Sequence, residues 1–177
     1  SVAGFGVASR IESIFLVVIM GLSSIMGPFV GQNWGAKKHE RVFTALSICF
    51  KFVSIWGLTI TAALWLLAEP LANLFSNDPL VIASATTYLQ IVPISYLFLG
   101  IIMVTSSAAN GMGLPTPSLI MSFTRLIVLF IPLAISLGSL FNLSGIYLAS
   151  TLSNLLVGIG AFFWYKHLKK TSHSLTS

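Results

Sequence analysis

Apolar residues run almost unbroken along this chain, interrupted at four places by clusters of Gly, Pro, Asn, Asp and Ser. A helix that crosses a bilayer takes about 20 mainly apolar residues. Five stretches qualify: Val2 to Met26, Val42 to Ala68, Leu80 to Ala109, Ser118 to Leu137 and Gly145 to Tyr165. They are continuously apolar, without the period-two alternation of a barrel, and too long for barrel strands. In hydrocarbon every backbone donor and acceptor must be satisfied within its own segment. The pattern therefore predicts an all-α integral membrane fold of five transmembrane helices. The breaks are turn-forming clusters. Gly27-Pro28 and Gly31-Gln32-Asn33-Trp34-Gly35 end the first stretch, and Glu69-Pro70 with Asn77-Asp78-Pro79 brackets the second loop. The run from Asn110 to Pro117 makes the third, and Asn142-Leu143-Ser144-Gly145 the fourth.

Composition agrees. Of 177 residues, 56% are hydrophobic and 7% charged, against roughly 25% charged in a soluble domain. Lipid is the natural solvent for such a chain. The net charge of +5 does not point to nucleic acid, because the basic residues are few and clustered. Lys37, Lys38 and Arg41 fall in the first loop, and Lys166, Lys169 and Lys170 follow the last helix. The second and fourth loops hold only Glu69 and Asp78. The positive-inside rule then places the loop 27–41, the loop 110–117 and the C-terminus in the cytoplasm. The N-terminus falls outside. The chain opens Ser1-Val2-Ala3-Gly4, with no Met and no signal-peptide pattern, so at least one further helix is expected upstream. Cys49 is the one cysteine and forms no intrachain disulfide.

Ionisable residues inside a span are costly and are functional candidates by default. Arg10 and Glu12 lie in the first helix, two positions apart, so their side chains point nearly opposite ways and each needs its own partner or a water-filled cavity. Lys51 and Arg125 lie close enough to the cytoplasmic end to snorkel there. Pro93 and Pro132 interrupt helices three and four and are hinge candidates or static kinks. Around Pro93 stand Thr87, Gln90, Ser95 and Tyr96, which can line a cavity or bond to neighbouring helices. In helix five, Gly145, Ala149 and Ser153 form a stripe of small residues, with Ser150, Asn154 and Gly158 beside it; close packing is the expected use. The substrate- or ion-binding candidates are thus Glu12, Arg10, Gln90, Tyr96 and Asn154. No phosphate-binding loop, H-E-x-x-H or G-x-S-x-G pattern occurs, so no catalytic residue, metal site or enzyme activity is expected. His39, His167 and His173 sit among basic or polar residues and read as solvated. Asn142-Leu143-Ser144 fits a glycosylation sequon, a weak pattern.

Several motifs together resemble one family. They are Gly6-Val7-Ala8-Ser9-Arg10-Ile11-Glu12-Ser13, then Val30-Gly31-Gln32-Asn33-Trp34-Gly35-Ala36, then Leu74-Phe75-Ser76-Asn77-Asp78-Pro79 with Tyr88-Leu89. Asn110-Gly111-Met112-Gly113, with Pro115 and Pro117, and Gly145 complete the set. In order and spacing it resembles the multidrug-and-toxin extrusion (MATE) transporters, over nearly the whole chain. The resemblance implies helices eight to twelve of a twelve-helix protein. Residues 1–170 would be the transmembrane C-terminal half without its first helix, and 171–177 a cytoplasmic tail. It further implies a multi-pass protein of the cell membrane, in a bacterium the inner membrane. The implied activity is antiport, exporting drugs or organic cations against protons or sodium, with no other cofactor. The implied partners are the lipid bilayer, a small cationic substrate and the missing N-terminal half. Some members carry an Asp in helix ten, but the third stretch here has no acid, which leaves the coupling ion open. A lipid-linked oligosaccharide flippase of the wider superfamily is the alternative that Arg10, Lys51 and Arg125 keep alive. A non-transporting scaffold or intramembrane enzyme is a third, disfavoured by the missing catalytic motifs.

Overall fold

The computed structural model describes residues 2–174, with side chains over 3–172. Four continuous hydrogen-bonded rods fill it: α1 (Val2–Gly35), α2 (His39–Phe75), α3 (Pro79–Gly111) and a last rod over Pro115–Ser174. The last rod is broken at Asn142, where φ is 55° and ψ −131°. We therefore divide it into α4 (115–141) and α5 (143–174). The break reverses the chain. Arg125 hydrogen-bonds Asn154, 29 positions on, whereas an unbroken helix would hold them about 43 Å apart. Five crossings result, as the apolar pattern predicts.

The ends differ from the predicted ones. The first helix does not stop at Met26 but runs through Pro28 to Gly35. Pro28 removes one backbone donor and leaves the Ser24 carbonyl without its helical partner, yet hydroxyl bonds to and from α3 hold this stretch of the helix in place. Ser107 donates to the Ser23 carbonyl at 2.6 Å, and Ser23 donates to the Met103 carbonyl at 2.9 Å. The turn comes instead at residues 36–38, where Lys37 has a φ of 58°. Its amide bonds the Trp34 carbonyl and that of Lys38 bonds Asn33, which closes the helix with a left-handed residue. The second helix likewise continues past Glu69-Pro70 to Phe75, with Asn73 donating to the Glu69 carbonyl. Asp78 then caps α3 by accepting from the Leu80 amide at 2.9 Å, with Pro79 in the first helical position. Residues 171–174, expected as tail, continue α5; residues 175–177 and the His173 side chain lie outside the described residues.

At 34 and 37 residues, α1 and α2 are about 51 and 55 Å long, well beyond the roughly 30 Å of bilayer hydrocarbon. Alternating directions bring Lys37, Lys38, Arg41, Lys166, Lys169 and Lys170 to one end, here the basic end; Glu69 and Asp78 mark the other. α3 is the central helix, packed on α1, α2 and α5. Two apolar clusters stack along it. One, near the basic end, is built on Val30, Phe43, Phe50, Val104 and Tyr165. The other holds Ile11, Leu64, Tyr88, Leu89, Tyr96 and Tyr147. Large apolar side chains such as Ile55, Leu66 and Ile135 point outward, as a lipid-facing surface requires.

Candidate functional site

Glu12 lies ten residues into α1, half-buried against α3. It is the one acid among the described residues more than two turns from a helix end. The Tyr88 hydroxyl of α3 donates to Glu12 Oε2 at 2.7 Å. The Tyr96 hydroxyl stands beside the same carboxyl group, buried and without a formed hydrogen bond. Aromatic rings close the surroundings. Phe5 meets Tyr88 edge-on at 5.6 Å between centroids, and Tyr147 of α5 meets it at 4.9 Å. A carboxyl group within a span, facing hydroxyls and ring faces, can bind a proton or a metal cation through oxygen, or an organic cation against the rings.

Below Tyr96 the backbone of α3 tightens into a 3-10 turn over Val92–Ser95, around Pro93. Pro93 has no amide to give, and several carbonyls around this turn accept from side chains of other helices. Thr61 and Trp65 of α2 donate to the Pro93 and Gln90 carbonyls, each at 2.6 Å. Thr151 of α5 reaches the Ile91 carbonyl at 3.4 Å. Beside this turn, Asn154 donates to Ser95 Oγ at 3.0 Å and accepts from Arg125 at 3.3 Å. Arg125 sits in a π-helical stretch of α4, Thr124–Phe130, directly ahead of Pro132. There the Ile131 amide reaches back five residues to Leu126, a wider turn that makes room for the proline ring.

The structure thus brings together Glu12 and Tyr96, and separately Asn154 with Ser95 and Arg125. Arg10 and the Gln90 side chain are exposed on the outer surface of the bundle, away from both groups. Pro93 is buried and Pro132 exposed. Lys51 is exposed and Arg125 half-buried. Gly145, Ala149 and Ser153 are all buried, consistent with a packing stripe. His39, read from the sequence as solvated, is half-buried against the Trp34 ring at 4.3 Å because α1 extends far enough to meet it. Sequence reasoning missed Tyr88 as the partner of the acid, and Tyr147 as the ring packed behind it. The spacing of Tyr88 and Tyr96, eight positions apart and hence on one helical face, was the available signal.

Antiparallel apolar helices of this length define a multi-pass membrane protein. Comparison with known proteins gives the family. The MatE family model matches residues 1–136, and the chain belongs to that family, the MATE transporters. A protein of Shewanella oneidensis named FAD transporter is 38% identical over 92% of this chain and 36% of its own length. The probable multidrug resistance protein YpnP of Bacillus subtilis is 26% identical over 94% of the chain and 37% of its own length. The crystal structure of the Vibrio cholerae MATE transporter VcmN in the bent form superposes with a TM-score of 0.89 at 27% identity, covering 97% of this chain and 39% of that one. The chain therefore spans a little over a third of the length of these relatives.

Proposed function

We propose that this chain supplies five helices of the C-terminal half of a cation-coupled exporter, and that Glu12 is where the coupling ion or a cationic substrate binds. The chain's match to little more than a third of its relatives supports its being part of such a half. The basic end would face the cytoplasm. The observation that carries the reading is the 2.7 Å bond from Tyr88 to Glu12 Oε2. It puts the one deep acid of α1 on the central helix. A proton or sodium ion arriving at the carboxylate competes with the Tyr88 hydroxyl, so ion binding and the α1–α3 contact are linked. Ion-dependent packing inside one half gives binding a way to bias the rocking of that half against the other. The test is Glu12→Gln in the full-length transporter, with gradient-driven efflux of a cationic dye from proteoliposomes. Efflux should fall on the order of tenfold or more at unchanged membrane level. Normal efflux across the neutral pH range would overturn the proposal.

A second reading concerns the substrate. The resemblance to the FAD transporter, at 38%, exceeds that to the probable multidrug resistance protein, at 26%. A flavin dinucleotide combines a flat ring system with two phosphates. The rings of Phe5, Tyr88 and Tyr147 suit the former. Proteoliposomes loaded with FAD and with dye in parallel discriminate: transport of FAD alone selects this reading, and transport of dye alone excludes it.

A further inference from the structure

α2 and α5 are pinned together at the basic end, where the Ser47 and Tyr165 hydroxyls lie 2.8 Å apart and Tyr165 donates to the Phe43 carbonyl. Below that pin they part over α3 and leave an open groove of about 740 Å³. Phe98 and Ile101 of α3 form its floor, and Phe50, Ile55, Ile159 and Phe162 its walls. Three lysines share the same groove: Lys51 from α2, Lys166 and Lys169 from α5. No acidic side chain lines it. Lys166 and Lys169 are three positions apart and so share one face of α5. Lys166 Nζ sits 4.8 Å from the centroid of the Phe162 ring, which draws the cation over the groove. Lys51 stands on the facing, antiparallel helix.

We propose that this groove binds an anionic phospholipid, with its phosphate among the three lysines and an acyl chain along the aromatic and aliphatic floor. Two properties coincide here that such a ligand uses together. Three cations with no acid among them, at the depth where hydrocarbon meets headgroups, form a site for a phosphate-bearing group. Apolar walls continuing from that site into the membrane form a bed for a chain. A free phosphate has no use for the walls, and an apolar drug none for three ammonium groups. The groove's lining shares no residue with the Glu12 cluster, so the lipid would act as a fixed part of the α2–α5 joint rather than as cargo.

The test is native mass spectrometry of the full-length transporter containing this chain. Phosphatidylglycerol and phosphatidylcholine with the same acyl chains are added in turn. The wild type should retain phosphatidylglycerol selectively. The triple variant Lys51→Gln, Lys166→Gln, Lys169→Gln should lose that retention by on the order of tenfold or more, and the corresponding Lys→Arg triple should keep it. Lys38→Gln, Arg41→Gln, Lys170→Gln removes as many charges from the same end and should bind as the wild type does. Ile101→Trp, which fills the floor and leaves every lysine, should also weaken retention. Equal loss in the two Gln triples would overturn the proposal, reducing it to general surface charge. So would equal retention of phosphatidylcholine, or displacement of the lipid by inorganic phosphate.

Discussion

A Cβ placed on Gly31 would stand 3.2 Å from the carbonyl oxygen of Gly111, so α1 and α3 cross near the basic end with backbone against backbone. One turn away, a Cβ on Gly111 would run into the carbonyl of Gly27. Small residues at a crossing are the usual means of close helix contact in lipid, where packing rather than the hydrophobic effect holds helices together. The contact also lets Ser107 donate to the Ser23 carbonyl and Ser23 to the Met103 carbonyl across it.

That crossing makes Gly111→Ala costly. The added methyl meets backbone, which cannot turn aside, and the expected destabilisation is about 1–3 kcal/mol. Thermal unfolding of the detergent-solubilised full-length protein should show the loss. Gly21→Ala is the control, because nothing lies within 4 Å of a Cβ there; it should be neutral or slightly stabilising. Equal behaviour of the two variants would contradict the crossing.

Asn154 joins three helices, giving to Ser95 and accepting from Arg125. Interhelical bonds of this kind contribute about 0.6 kcal/mol on average and up to about 1.7. A double-mutant cycle on Ser95→Ala and Asn154→Ala should give a coupling in that range. Additive losses would mean that the Ser95–Asn154 bond contributes nothing to stability.

The break at Asn142 places a non-glycine residue at φ 55° and ψ −131°, outside the left-handed helical well and close to the first central position of a type II′ turn, which glycine favours. Asn142→Gly should leave stability unchanged or raise it slightly, while Asn142→Val should lower the melting temperature and the yield in membranes. A harmless Val would rule out the reversed turn.

Orientation is open to direct labelling. Single cysteines at Lys38→Cys and Asn77→Cys, in a Cys49→Ala background, sit in exposed turns at opposite ends. A membrane-impermeant thiol reagent applied to intact cells should label position 77 and spare position 38. The reverse pattern would put the basic end outside.

The sequence carried the number of crossings, because apolar runs of this length have few other uses, and it carried which ends lie together, because Lys and Arg cluster at one of them. Where helices end was less legible. Gly27-Pro28 and Glu69-Pro70 are turn signals in water, where a freed carbonyl simply meets solvent. Inside this bundle α3 packs along the same stretch, with Ser107 bonded to the carbonyl of Ser23, and the helix continues. Glycine was ambiguous for the same reason: Gly31 and Gly111 looked like loop residues and serve as crossing points. Of the candidate residues, Glu12 and Tyr96 meet because an isolated acid in lipid must find hydroxyls. That Gln90 points outward while its own carbonyl is held by Trp65 depends on the 3-10 turn at Pro93, and no local pattern encodes the rotation that such a turn imposes.

The reversal at Asn142 also bears on how the chain enters the bilayer during synthesis. Alone, α5 would carry Thr151, Ser153 and Asn154 into lipid, and α4 would carry Arg125. Because one residue separates the two helices, they leave the insertion machinery as a pair, and Arg125 and Asn154 can reach the membrane already bonded to each other. Ser95 then completes the set when the hairpin docks on α3. A connection of many residues would let each helix meet the hydrocarbon with its polar group unanswered. The tightness of this turn thus sets an order of assembly, hairpin first and bundle second.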